Sequence, residues 1–161
     1  MGTLFIMKKY SQFPPGLLAR AIALCLQKRV HFPVMQNGNT VQEKEEFIVF
    51  RKVVVDPESN QKHKPGAIFK VYFRFAKFSF KVNKILSLIP IPFIIAQPGF
   101  RSKTWLNGLE TNTFQGLYEW DSVEDAERYW NSFPLKLMKS RAIPDTLETE
   151  ITELTVKKGK I

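Results

Sequence analysis

The chain has 161 residues and a formal net charge of +9; it is 44% hydrophobic and 13% aromatic. That length suits one domain, or one domain with an extension, and hides roughly 70% of its unfolded surface, which excludes disorder over most of the chain. A single cysteine, Cys25, excludes a disulfide-stapled scaffold.

The charge is unevenly spread. From Ser59 to Leu109 there is no acidic residue, while nine basic ones fall there. Acids return at Glu110, and residues 110–153 carry ten. A basic half of this kind suits an anionic ligand, a membrane surface or nucleic acid; paired basic and acidic strands in one solvated sheet would look the same. Met1 to Tyr10 lacks the long apolar region of a secretory signal. The longest uncharged run, Ile85 to Phe100, is too short and too rich in proline to span a membrane. A soluble, cytoplasmic protein is expected.

In chain order, Phe13-Pro14-Pro15 leads into a helix predicted over Gly16 to Val30. Leu17, Ala21, Leu24 and Lys28 share one stripe, with Leu18, Ile22, Cys25 and Leu26 beside it. Cys25 is expected to be a buried small hydrophobe. His31 to Glu46 reads as a loop carrying the Asn37-Gly38 turn signal. Phe47 to Val55, β-branched and aromatic, reads as a strand. Gly66 to Phe75 is the next, and it alternates: Phe69, Val71, Phe73 and Phe75 on one face, Lys70, Tyr72 and Arg74 on the other.

Lys81 to Ile89 is helical until Pro90 and Pro92 break it, and Ile91 to Ala96 resumes for about a turn. Phe100 to Leu106, a turn over Asn107 to Thr113, and Phe114 to Trp120 form a hairpin. Ser122, with Asp125 three residues on, resembles a capping box and starts a helix at Val123. That helix restarts near Pro134 and stops at Pro144. Leu147 to Val156 closes the chain as a strand. From Gly66 onward the order is β-α-β-β-α-β, the ferredoxin-like arrangement. Residues 1–65 are read as a helix-and-strand extension, and 66–161 as the α+β domain.

Little familiar chemistry is present. The only histidines, His31 and His63, fall in loops, and no Cys/His cluster exists, so no metal site is expected. There is neither GxGxxG nor GxxxxGK[ST], and no histidine after residue 65 for a Ser-His-Asp triad. RNA-recognition domains share the element order, but Phe114 to Trp120 lacks their leading base and carries Glu119, which argues against nucleic acid. What remains is polar strand positions. If Lys70, Tyr72 and Arg74 share a face with Arg101, Lys103 and Trp105, and with Gln115 or Tyr118, a pocket forms with aromatic walls and fixed positive charge, suited to an anionic or enolisable aromatic ligand.

The run PGFRSKTWL, followed by FQGLYEWDSVEDAERYW and FPLKLMKSRAIP, resembles the dimeric α+β barrel proteins, most of all the YdhR-type monooxygenase-like group. The resemblance covers about residues 66–154 and leaves 1–65 unexplained. It implies a homodimer that pairs two sheets into a shared barrel, and cofactor-independent oxygenation of a small hydrophobic substrate, so no cofactor is expected. Heme-degrading relatives use a histidine on the second helix, where this chain has Lys136 and Lys139. On this reading Arg74, Tyr72 and Lys103 are the catalytic candidates, with Trp105, Tyr118, Arg101 and Lys70 binding the ligand. A ligand-binding protein of the same fold without turnover is the alternative. A peripheral membrane protein, docked through Gly16 to Val30 and Ile85 to Ala96, is the third.

Overall fold

A computed structural model describes residues 13–34, 39–57 and 64–155. The Asn37-Gly38 signal, His63 and the tail beyond residue 155 lie outside these described residues.

Helix α1 spans Pro14–Leu26, opened by prolines in its first turn, where a missing N–H costs no internal hydrogen bond. It buries Leu17, Ala21 and Leu24 and packs on helix α3. It ends short of the expected Val30, because Lys28 takes a left-handed φ of 55° and turns the chain into a strand. Cys25 is exposed, not buried: the helix buries only a narrow stripe, and the residue falls off it.

Strands β1 (Val30–His31) and β2 (Thr40–Gln42) occupy the segment read as a loop, and both pair with β3 (Glu46–Val55). Strand β4 is Ala67–Phe73, after which α2 (Phe80–Leu86) and α3 (Ile91–Ile95) replace one interrupted helix. Strands β5 (Phe100–Gly108) and β6 (Phe114–Trp120) form the expected hairpin. Helix α4 (Val123–Trp130) starts at Ser122, whose Oγ accepts from the Asp125 N–H. Helix α5 (Phe133–Arg141) has Pro134 in its first turn, and a short 3-10 turn at Pro144–Thr146 leads into β7 (Glu148–Glu153).

The strands make one antiparallel sheet in the order β1-β3-β5-β6-β4-β7, with β2 also on β3. From β4 onward the chain is β-α-β-β-α-β, and its four strands lie in the ferredoxin-like order. Strand β3, from the extension, continues this sheet beyond β5.

The helices lie on one face. Among the described residues, every buried hydrophobic side chain of a helix belongs to the large core cluster, together with Phe69, Val71 and Phe73 of β4 and Trp105, Tyr118 and Trp120 of the hairpin. The small cluster on the other face holds only strand residues, Phe47, Tyr72 and Leu106. The alternation expected for β4 is therefore present: its all-apolar face takes the helical layer.

Candidate functional site

Between sheet and helices lies a cavity of about 240 Å³. Its floor is the helix-facing side of three strands. In register, Val71 stands opposite Gly116, which stands opposite Trp105; one pair along, Phe69 faces Tyr118, which faces Lys103. Gly116 is required on this floor. A Cβ there would lie 2.7 Å from the Tyr118 ring and 3.1 Å from a Val71 methyl. The roof comes from Leu86, Ile89 and Pro90, from Ile94 of α3, and from Tyr129, Leu137 and Met138 of α4 and α5.

Most of this lining is apolar; its charged members are Lys103 and Arg141, and Ser87 adds a hydroxyl. Lys103 is 5% exposed, and its Nζ lies 4.4 Å from the Trp105 ring centroid and 4.6 Å from that of Tyr118. Among the described residues no carboxylate or other hydrogen-bond partner meets that nitrogen. Ring faces attract a cation but do not replace its hydration. Burial therefore holds the Lys103 amine well below the ordinary lysine value, and the nearby Arg51 charge pushes the same way.

Arg51 stands opposite Trp105 in the β3–β5 ladder. Its guanidinium lies 5.6 Å from the Trp105 ring centroid and donates to Ser87 Oγ at 2.5 Å and the Lys84 carbonyl at 3.0 Å, tying α2 to the sheet. The Tyr129 hydroxyl donates to that of Tyr118 at 3.2 Å, and both phenols are pushed to higher pKa, chiefly by burial. The cavity wall thus offers a weakly basic amine, the Arg141 guanidinium, a neutral pair of hydroxyls and aromatic faces.

The single polar face anticipated from the alternation divides in two. Lys103, Trp105 and Tyr118 line the cavity. Lys70 and Tyr72 point to the opposite face, because they pair with Leu117 and Gln115, one position out of phase. There Glu43 gathers them, accepting from Tyr72 Oη at 2.5 Å, Lys70 Nζ at 2.9 Å and Gln115 Nε2 at 3.3 Å. Burial alone would raise the Glu43 carboxyl, but these hydrogen bonds, Tyr72's first, and the Lys70 charge bring it below its ordinary value.

Arg74 lies past the end of β4, exposed, with its backbone held by Thr146 and Ile143. Arg101 leaves the alternation at the bulge between Phe100 and Ser102 and pairs with Asp121 beside a separate polar cavity of about 160 Å³. His31 bonds Asp56, which lines that second cavity, at 2.7 Å.

Arg51 and Tyr129 escaped the reading of the sequence. Arg51 carried a signal, since Arg51-Lys52 interrupts an otherwise apolar strand. Tyr129 lies three residues past Ala126, on the same helix face. No group of three or more His, Cys, Asp or Glu able to hold a metal occurs among the described residues.

No protein-family model matches the chain, and no curated protein does. Solved structures do. A ferredoxin-fold protein related to antibiotic biosynthesis monooxygenases, from Listeria monocytogenes, is 13% identical with a TM-score of 0.56, over 76% of this chain and 72% of that one. A monooxygenase-like protein from Listeria innocua is 16% identical with a TM-score of 0.51, over 71% of this chain and 66% of that one. The chain has their ferredoxin-like fold. A heme-degrading enzyme from L. monocytogenes is similar at 13% identity and a TM-score of 0.50, over 78% of this chain and 97% of that one.

Proposed function

We propose that this protein binds a small aromatic, enolisable molecule between sheet and helices and oxygenates it without a cofactor, as a homodimeric monooxygenase of the α+β barrel kind. The observation that carries the reading is Lys103. A buried amine with no ionic partner, set between two aromatic faces and lining an apolar cavity, is matched by a planar ligand that brings its own acidic group.

The chemistry follows from the environment. A phenol or enol enters neutral, which a dry apolar cavity favours. Its proton passes to the Lys103 amine, leaving an ammonium beside an enolate, and each charge raises the stability of the other. The Tyr118 hydroxyl, which accepts from Tyr129, is the donor for developing oxyanion charge. The enolate carbon supplies the electrons that reduce O₂. An activated CH₂ becomes C=O, one oxygen atom enters the product, and the other leaves with the two hydrogens as water. The resemblance of fold to monooxygenase-related proteins supports this direction.

Oxygen uptake with a panel of anthrones and hydroquinones tests it. The expected result is uptake matched one to one by ketone or quinone formation for anthrones, rising with pH as Lys103 loses its proton, and abolished in Lys103→Met. A protein that binds these compounds without consuming oxygen would be a carrier of the same fold and would end the catalytic half of the reading.

A further inference from the structure

The loop before α2, α2 itself and the turn after it present an unusual surface. Phe78 is 67% exposed and Ile85 66%, and Val82, Leu88 and Ile89 are also exposed. These five large apolar side chains fall within twelve residues, interleaved with Lys77, Lys81 and Lys84. Scattered exposed apolar residues need no explanation, but a dense cluster does.

Phe78 is held there at a cost. Its φ of 71° lies in the left-handed region, which a bulky residue seldom occupies. Asn83, almost fully buried, fixes the turn by donating to the Lys77 and Phe78 carbonyls at 3.0 and 3.1 Å, and Arg141 in turn donates to Asn83 Oδ1 at 2.6 Å. A strained backbone held by two hydrogen bonds from a buried asparagine, with an aromatic ring projected into solvent, marks a surface shaped for contact.

The cavity opens at this same surface. Ile89 and Leu137 line it and are also exposed to solvent, which places its mouth between the α2–α3 turn and α5. The segments around that mouth, 76–96 and 133–141, carry six basic residues and no acid.

We propose that this face docks on a lipid bilayer bearing anionic headgroups, and that the cavity takes its ligand from the membrane. Charge complementarity selects this occupant: the apolar residues suit the headgroup–acyl boundary and the interleaved lysines suit anionic lipid. A second copy meeting this face symmetrically would set lysine against lysine. Only the loading of the cavity rests on the function proposed above. Docking is measured without substrate, so its failure leaves the ligand reading standing, and failure of ligand binding leaves docking standing.

The experiment is co-sedimentation of the full chain with phosphatidylcholine vesicles, with and without added phosphatidylglycerol. The wild type is expected to pellet with the anionic vesicles, to stay in solution with neutral ones, and to be released by molar salt. Phe78→Ser with Ile85→Ser, neither of which lines the cavity, should weaken binding about tenfold or more. Lys77→Glu with Lys81→Glu should do the same, so the test survives if one pair fails to fold. Ile22→Ser with Leu26→Ser, on the exposed side of α1, should bind like the wild type. The proposal is overturned by an absence of pelleting at low salt, by binding indifferent to both loop-and-α2 pairs, or by binding lost only in the α1 pair. A sedimentation mass that halves in Phe78→Ser/Ile85→Ser would assign the face to a second copy and overturn it as well.

Discussion

Lys103 is the residue on which the site turns. A lysine buried between Trp105 and Tyr118 with no carboxylate costs stability whenever it holds its proton. Its pKa is lower folded than unfolded, so between those two values the unfolded chain binds more protons. Stability attributable to Lys103 therefore rises with pH across that window, reaches its full value above the ordinary lysine pKa, and is lost as pH falls through the folded value. Lys103→Met should add about 1–3 kcal/mol at neutral pH, and this advantage should shrink toward pH 10. Urea unfolding of both proteins at neutral and alkaline pH checks it. A pH-independent difference would mean that the amine is not depressed by burial.

At the scale of elements, much was legible. The hairpin, the cap at Ser122 and the proline breaks were readable because turn, cap and breaker residues act locally. The alternation of β4 gave its two faces correctly. It could not say which face of β4 coincides with which face of β5, because β6 stands between them and its register sets the phase. Lys70 and Tyr72 were thus grouped with Lys103 and Trp105, which lie on the other side of the sheet. Nor could the sequence show that β1 and β2 form, since each is short and exists only as a partner of β3.

Glu45 joins these distant pieces. Although nearly buried, it accepts from the Glu110 and Thr111 N–H groups at 3.0 Å each and from Thr111 Oγ1 at 2.5 Å, so the start of β3 is fastened to the β5–β6 turn. Glu45→Ala leaves those donors unmet and should cost about 2–3 kcal/mol. Thermal unfolding gives the value, and a loss under about half a kcal/mol would show that water replaces the carboxylate.

At the scale of the whole molecule, the sheet separates two surfaces of different use. The helical side encloses the cavity. The other side carries Val49 and Leu117, partly buried around Phe47, Tyr72 and Leu106, with no helix packed there among the described residues. Pairing of two such faces is the assembly that a dimeric α+β barrel calls for, and sedimentation at micromolar concentration should give twice the chain mass. A monomer would leave each cavity dependent on its own chain alone.

On the proposed function, the Lys103 cavity holds the ligand. The direct measurement is anaerobic calorimetric titration of a hydroxyanthrone into the wild type, Lys103→Met and Lys52→Met, whose lysine sits on the far face opposite Thr104. Binding should weaken about tenfold or more in Lys103→Met, the loss of one charge-assisted contact, and stay unchanged in Lys52→Met. Equal affinity in all three proteins would contradict the account.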